Sequence, residues 1–121
     1  MKSAIKVILT IIALCIMFSS YLYFVGVPNW AVGIYQEYKA EGYVKAHLND
    51  PNGALFRNKK GPCGEVNAKN KYGGYEGFIK YVANSEKAVT FESSPIFEKI
   101  WNFSCLMTEQ ERAAEIEKLR N

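Results

Sequence analysis

The segment CGEVNAKNKYGGYEGF, from Cys63 to Phe78, is the most informative stretch of this chain. It contains four glycines, three aromatic residues, two asparagines and one cysteine, and it is too polar to lie in a hydrophobic core. Glycine adopts positive φ angles at little cost, so this density of glycines indicates a backbone of defined and unusual shape. Asn70 and the Gly73–Gly74 pair favour a turn. The segment therefore predicts a hairpin loop between two strands.

Three short strands are predicted around this loop. They cover Cys63 to Ala68, Phe78 to Ala83 and Ala88 to Glu92, and in the last of these Val89 and Phe91 lie on one face. Strands this short, joined by turns, pair most simply as antiparallel neighbours. The predicted fold class is α+β, with a small three-stranded antiparallel sheet packed with helices.

A helix is predicted before the sheet, followed by a polar loop. Trp30 to Leu48 contains few helix breakers, and the Asn-Asp-Pro-Asn-Gly turn at residues 49–53 ends the pattern. Beyond that turn, we expect Leu55 and Phe56 to enter the core from a short helical turn. Residues 57–62 are polar and predict a loop that leads into the sheet.

Two further helices are predicted after the sheet. The first covers Pro95 to Phe103, and Cys105 lies near its end. Thr108 and Glu111 form a capping box, which marks the start of the second helix, Glu109 to Arg120. This last helix is highly charged, so it is predicted to be solvated or to contact a partner.

The first quarter of the chain is apolar and lies outside this domain. From Val7 to Val27 there is no charged residue, and these 21 residues span about 31 Å as a helix. That length is close to the ~30 Å thickness of the hydrocarbon core of a bilayer. Lys2 and Lys6 precede the segment, and the next basic residue is Lys39. The asymmetry predicts that the N-terminus lies in the cytoplasm and the rest of the chain outside it.

Three interpretations of the apolar segment stay open: an uncleaved signal anchor, a signal peptide cleaved near Ser19–Ser20, and a lipid-modified Cys15. We favour the anchor, with residues 1–28 as the transmembrane segment, 29–107 as the exported domain and 108–121 as a charged C-terminal helix. The predicted location is the cell inner membrane, single-pass, with the C-terminal domain in the periplasm. Cleavage would leave a secreted protein on the same side.

Cys63 and Cys105 are the cysteines outside the apolar segment. In an oxidising compartment, such a pair predicts a disulfide, which would tie the sheet to the helix from Pro95 to Phe103. Closing this loop would stabilise the fold by about 4 kcal/mol in the chain-entropy model. Staples of this kind are common in domains whose core is small.

Three motifs run through the domain: DPxxAxFR at residues 50–57, CGxVNAKN at residues 63–70 and GGYxGF at residues 73–78. Together they resemble a group of small uncharacterised exported proteins of bacteria and prophages, which have a signal or anchor segment, this block and a late cysteine after an aromatic helix. Gly53 stands where the group commonly has serine. The resemblance implies an exported, anchored domain and leaves the activity open.

The chemistry available to the chain is limited. His47 is the only histidine, and it could pair with Cys63 or Cys105 as base and nucleophile. An exported thiol with one available partner is normally oxidised, so we predict no enzyme and keep a cysteine-dependent hydrolase as the alternative. No cluster has zinc or calcium spacing, and the Gly73–Gly77 stretch lacks the context of a phosphate loop. We therefore predict no cofactor and no metal.

A basic and aromatic surface is predicted along the hairpin. Between residues 57 and 80, six basic residues face two glutamates, a local charge of +4, and aromatic rings are interleaved with them. Such a surface suits an anionic headgroup, a glycan or an acidic protein; the alternative is a solvated hairpin whose tyrosines pack on its own strands. The predicted binding residues are Asn67, Lys69, Asn70, Lys71, Tyr72, Tyr75 and Tyr81.

The sequence thus predicts a membrane-anchored, extracytoplasmic binding module of the bacterial envelope. Its expected partners are the inner membrane and an unknown envelope protein or glycan. Thirteen basic and 12 acidic residues remain once Lys2 and Lys6 are set aside, so the exported part is nearly neutral and no nucleic-acid partner is predicted. A phage-type exclusion or inhibitor protein is a further alternative.

Overall fold

The computed structural model describes residues 1–120 and divides into two compact units, the second of which begins at Gly33. The first unit is dominated by helix α1, Lys2–Val25, which has no buried residue. At 24 residues it is about 36 Å long. Within the described residues it is the one helix long and apolar enough to span a membrane or to act as a signal.

The polar residues of α1 are accommodated within the helix itself. The hydroxyls of Thr10, Ser19 and Ser20 each donate a hydrogen bond to the carbonyl four residues earlier, at 2.8 to 2.9 Å. These bonds give each hydroxyl a hydrogen-bond partner, which the hydrocarbon of a bilayer could not provide. The helix ends at Gly26, whose φ of 79° suits glycine and whose N–H donates to the Leu22 carbonyl.

The second unit contains a sheet of four antiparallel strands within the described residues. The strands are β1 (Leu55–Lys60), β2 (Cys63–Asn67), β3 (Ile79–Ser85) and β4 (Ala88–Phe91), in the spatial order β1-β2-β3-β4. The three predicted strands correspond to β2, β3 and β4 within one or two residues at each end. Each strand therefore pairs with its neighbour in the chain, and β2 and β3 form the predicted hairpin.

The prediction of three strands, with a polar loop over residues 57–62, is wrong because β1 is an additional edge strand. Its Phe56 pairs with Val66 of β2 and packs against the core, whereas Leu55 is exposed and does not enter the core as expected. Asn58 has a φ of 51°, and the pairing slips towards the end of the strand. An edge strand tolerates charged side chains and an irregular register, so its sequence does not alternate.

The sheet lies between two apolar clusters. Helix α2, Asn29–Lys45, covers one face, and its buried residues are Ala40 and Val44. This helix ends three residues before the predicted Leu48, which packs on the same cluster from the turn that follows. The residues that share this cluster are Val66, Tyr81, Ala83, Tyr43, Leu48, Ala54, Phe56, Val89 and Phe91.

The other face of the sheet carries a smaller cluster built on the disulfide. Cys63 and Val82 point to this face, because successive side chains of a strand alternate. They pack against α3, Phe97–Trp101, and against Cys105. The predicted disulfide between Cys63 and Cys105 is confirmed, with the two Cα atoms 6.0 Å apart.

The predicted helix from Pro95 to Phe103 is an α-helix that changes type along its length. After α3 the chain continues without a break into a π helix, Asn102–Leu106, which carries Cys105. Helix α4, Glu109–Arg120, follows and has the predicted bounds. Its capping box is confirmed: Thr108 N–H donates to the Glu111 carboxylate at 2.8 Å, and the Glu111 N–H donates to the Thr108 hydroxyl at 3.3 Å.

Candidate functional site

The hairpin loop, residues 68–78 between β2 and β3, is organised around one asparagine. The side-chain oxygen of Asn70 accepts the N–H groups of Tyr72 and Gly74, both at 3.0 Å. The backbone of Asn70 also exchanges hydrogen bonds with Gly73 and Gly74, and Gly73 has a φ of 82°. An asparagine that bonds the backbone two residues on is a strong turn former, so the loop has a closed, defined backbone.

A second asparagine holds the base of the hairpin loop. The side-chain oxygen of Asn67 accepts the N–H of Gly77 at 3.1 Å, where the backbone φ is 112°. The side-chain nitrogen of Asn70 donates to Glu76 at 3.1 Å. Both asparagines of the predicted binding surface are therefore engaged in hydrogen bonds within the loop.

The hairpin loop is also held from outside, by the turn that precedes β1. The hydroxyl of Tyr75 donates to the Gly53 carbonyl at 2.8 Å, and the Lys69 ammonium lies 3.7 Å from the Asp50 carboxylate. The other carboxylate oxygen of Asp50 accepts the Gly53 N–H at 3.1 Å. A Cβ at Gly53 would lie 2.6 Å from the Asp50 carboxylate, which favours glycine over serine at this position.

Tyr81 does not belong to the binding surface, and its prediction there is wrong. Its side chain is fully buried under α2, because the alternation along β3 directs it to the helix-covered face. Its hydroxyl has no hydrogen-bond partner among the described residues. Burial, and then the nearby carboxylates of Glu41 and Glu37, raise the pKa of Tyr81 to about 12.

Two of the predicted residues remain free at the end of the hairpin loop, and we call Lys71 and Tyr72 the hairpin tip. Tyr72 is 84% exposed, and the Lys71 ammonium lies 5.2 Å from the centre of its ring. Neither side chain bonds to the rest of the described chain. The tip is therefore an aromatic ring and a cation on a backbone that is held in place from both sides.

A cleft of about 360 Å³ adjoins the hairpin tip, and the only histidine lines it. The Nδ1 atom of His47 lies 2.9 Å from the carbonyl oxygen of Tyr43, which only accepts hydrogen bonds. Nδ1 therefore donates the hydrogen in this contact. The other side chains that line the cleft include Asn49, Lys69, Asn70, Lys71, Glu76 and Ile79.

Much of the predicted positive charge is paired within the domain. Arg57 bonds to Glu65 and stacks on the Phe78 ring at 3.9 Å, and the Lys59 ammonium lies 3.4 Å from the Glu41 carboxylate. The bond from Arg57 is the main cause that lowers the pKa of Glu65. Desolvation opposes it, and a hydrogen bond from Asn58 lowers the pKa further. Within residues 1–120, the basic residues of the hairpin region that form no ion pair within 4.0 Å are Lys60, Lys71 and Lys80.

The disulfide argues against a cysteine nucleophile. Cys63 and Cys105 are joined, so neither offers a thiolate to His47. Among the described residues, the free cysteine is Cys15, which lies within α1. That the chain is not an enzyme stays a prediction.

A groove between α2 and the π helix was not anticipated from the sequence. It has a volume of about 650 Å³, and the turn between β1 and β2 contributes Gly61 and Pro62 to its lining. Tyr35, Gln36 and Tyr43 line the α2 side, and the opposite side includes Ser104 and Cys105. No single motif could reveal the groove, because four segments far apart in the chain build it, residues 33–43, 60–62, 83–84 and 104–112.

No family model, no curated protein and no solved structure matches this chain. The resemblance of its motifs to small exported proteins of bacteria and prophages stays a prediction. Function is therefore inferred from the geometry of the hairpin tip and the groove.

Proposed function

We propose that this protein is a membrane-anchored binding module of the bacterial envelope, and that the hairpin tip contacts a partner protein outside the cytoplasm. Two features support the location. Helix α1 is long and apolar enough to serve as the anchor, and lysines flank only its N-terminal end. The disulfide between Cys63 and Cys105 fits an oxidising compartment.

The observation that carries the proposal is the presentation of Tyr72. This ring is 84% exposed, although Asn70 and Tyr75 hold the loop beneath it. Ordering a flexible loop on binding costs free energy, and a loop that is already held avoids that cost. Tyrosine is also enriched among the residues that dominate protein interfaces. A fixed loop that exposes a tyrosine beside a free lysine is suited to protein recognition.

The proposed partner is a protein whose contact surface carries an acidic group beside an apolar pocket. Lys71 has no carboxylate inside 4.0 Å within residues 1–120, so its charge is available to such a group. A phage-type exclusion or inhibitor protein would use the tip in the same way, and the identity of the partner separates the two roles.

Site-specific photo-crosslinking tests the proposal. The full chain carries Tyr72→p-benzoylphenylalanine in native envelopes, and a matched variant carries the same group at Lys87, an exposed residue of the turn between β3 and β4. We expect a discrete protein adduct from position 72 and none of that mass from position 87. Identical adducts from both positions, or none from position 72, would overturn the proposal.

The anchor is tested separately by extraction at alkaline pH. An uncleaved α1 keeps the chain in the membrane pellet, and the intact mass then includes Met1 to Val25. If the chain is instead soluble and lacks these residues, α1 is a cleaved signal and not an anchor. That outcome leaves the role of the hairpin tip unaffected.

A further inference from the structure

We propose that the groove between α2 and the π helix is a second binding site, whose ligand is a glycan strand of β-linked, N-acetylated sugars. The proposal rests on the extracytoplasmic location proposed above, because such polymers lie outside the cytoplasm. It does not depend on the hairpin tip, whose residues do not line the groove.

The dimensions of the groove suit an elongated ligand. Its volume of about 650 Å³ lies within the usual range of small-ligand sites, roughly 300–1,000 Å³. Tyr35 and Tyr43 both line the α2 wall, eight positions apart, which corresponds to about 12 Å along the helix axis. Tyr35 is 60% exposed, so its ring can pack against the apolar face of a sugar ring. Tyr43 is partly buried on the core cluster and offers its remaining exposed part to the next sugar.

The neutral polar groups of the groove match the hydroxyl and acetamido groups of such a strand. Asn84 donates from its side-chain nitrogen to the Ser104 hydroxyl oxygen at 3.2 Å. This bond leaves the Asn84 oxygen as an acceptor and the Ser104 hydroxyl hydrogen as a donor. The Gln36 amide oxygen lies 3.3 Å from the position that a Cβ on Gly61 would occupy, so the glycine leaves room for this amide.

The charges around the groove argue against a strongly charged polymer. The charged residues of the lining are Glu37, Lys39, Lys60, Glu109 and Arg112. Three cations against two carboxylates nearly cancel, so the groove has little electrostatic preference for a polyanion such as a nucleic acid.

The backbone of the groove argues against an extended peptide as the ligand. Peptides commonly bind by adding a strand to a free sheet edge. Ala83 and Asn84 of β3, an inner strand of the sheet, line the groove, and the Ala83 N–H already donates to the Pro62 carbonyl at 2.8 Å. The edge strand β1 reaches the groove only with Lys60, its last residue. The groove thus offers side-chain amides and tyrosine rings, and no length of free backbone edge.

The wall opposite α2 is held covalently. Cys105 lies in the π helix, lines the groove and is bonded to Cys63 of the sheet. Single turns of π helix are rare in proteins and occur frequently at functional sites. The disulfide therefore keeps this wall at a constant distance from the sheet, which a preformed site requires.

Titration of the full chain in detergent micelles with chitotetraose, four β-1,4-linked N-acetylglucosamine units, tests the proposal. We expect saturable binding by calorimetry, and a loss of affinity of at least about tenfold in Tyr35→Ala and Gln36→Ala. Tyr38→Ala is the matched control, because Tyr38 is 73% exposed on the same helix, against 60% for Tyr35, and does not line the groove. Melting curves confirm that each variant is folded.

The outcomes separate this proposal from the previous one. Absence of saturable binding by the unsubstituted chain, or equal losses in Tyr35→Ala and Tyr38→Ala, would overturn the glycan site. Tighter binding of an acidic peptide than of chitotetraose would overturn the class of ligand. Tyr72→Ala should leave chitotetraose binding unchanged, so failure of crosslinking at the hairpin tip bears on the first proposal alone.

Discussion

The hydroxyl of Tyr75 donates a hydrogen bond of 2.8 Å to the carbonyl of Gly53, and this contact joins the hairpin loop to a turn 22 residues earlier in the chain. Lys69 and Asp50 form an ion pair beside it at 3.7 Å. The loop is thus fixed at its far end as well as at its base. These contacts hold the backbone of a glycine-rich segment in place beneath the exposed Tyr72 ring.

Replacing Tyr75 by phenylalanine should loosen the hairpin loop. The variant loses one hydrogen bond, so the free energy of unfolding should fall by about 1 kcal/mol. Hydrogen exchange at the amides of Gly73 and Gly74 should become faster, because local opening costs less. Tyr72→Phe is the control, since the Tyr72 hydroxyl has no partner in the described residues. Equal exchange rates in the two variants would contradict the role of Tyr75.

Replacing Gly64 by alanine should destabilise the domain. A Cβ at this position would lie 2.6 Å from the Tyr81 hydroxyl oxygen and 2.8 Å from the ring carbon that bears it. Because Tyr81 is fully buried, its ring cannot move away freely. Overpacking should therefore lower the free energy of unfolding by about 1–3 kcal/mol, as measured by urea unfolding.

The matched substitution for this test is Gly42→Ala in α2. Nothing lies within 4 Å of a Cβ at Gly42, which is an exposed position inside the helix. Alanine should therefore raise stability there by roughly 0.5–1 kcal/mol. Destabilisation by both substitutions would show that crowding against Tyr81 is not the cause at Gly64.

Replacing Tyr81 by phenylalanine should preserve or increase stability near neutral pH, by up to about 1 kcal/mol. The substitution removes a buried hydroxyl that lacks a partner and keeps the packing of the ring on Phe56 and Val66. A clear loss of stability at pH 7 would indicate that the hydroxyl is hydrogen-bonded in solution.

The same variant should lose part of the alkaline sensitivity of the fold. The pKa of Tyr81 is about 12 in the folded chain and 10.0 for an ordinary tyrosine. The raised pKa contributes stability that is complete below pH 10 and is lost as the pH rises through about 12, because the unfolded chain releases its proton first. Urea unfolding measures the free energy of unfolding at pH 8 and at pH 11. Between these two pH values, this free energy should fall more for the unsubstituted chain than for Tyr81→Phe.

Reduction of the disulfide should lower the free energy of unfolding by about 4 kcal/mol, since the bridge closes a loop between residues 42 apart. The double variant Cys63→Ser/Cys105→Ser should show a similar loss, and Cys15→Ser should show none. Thiol titration of the folded chain should detect Cys15 at most. Reactive thiols at positions 63 and 105 would contradict the disulfide and would restore the hydrolase alternative.

The elements that could be predicted from the sequence are those with a complete local pattern. The span of α1 follows from an uninterrupted apolar run, and α4 follows from the capping box at Thr108 and Glu111. The hairpin follows from glycines and asparagines whose turn chemistry acts over a few residues. The disulfide follows from counting the cysteines outside the apolar segment, Cys63 and Cys105.

Strand β1 and the position of Tyr81 could not be predicted in the same way. Arg57 and Lys59 give β1 the composition of a loop, and their partners, Glu65 and Glu41, lie on other elements. Tyr81 sits among basic residues in the sequence, yet the pairing of β3 with β2 directs it beneath α2. Such outcomes depend on which neighbour covers each face of the sheet.

Local sequence is thus sufficient for the apolar helix, for the turn chemistry of the segment from Cys63 to Phe78 and for the pairing of its cysteine. The exposure of each residue in that segment, like the groove beside α2, arises only when the chain packs. The difference lies in the range of the interactions. Turns, caps and apolar runs depend on contacts within a few residues, whereas burial and concave surfaces depend on packing between distant segments, such as Tyr75 on Gly53 and Cys105 on Cys63.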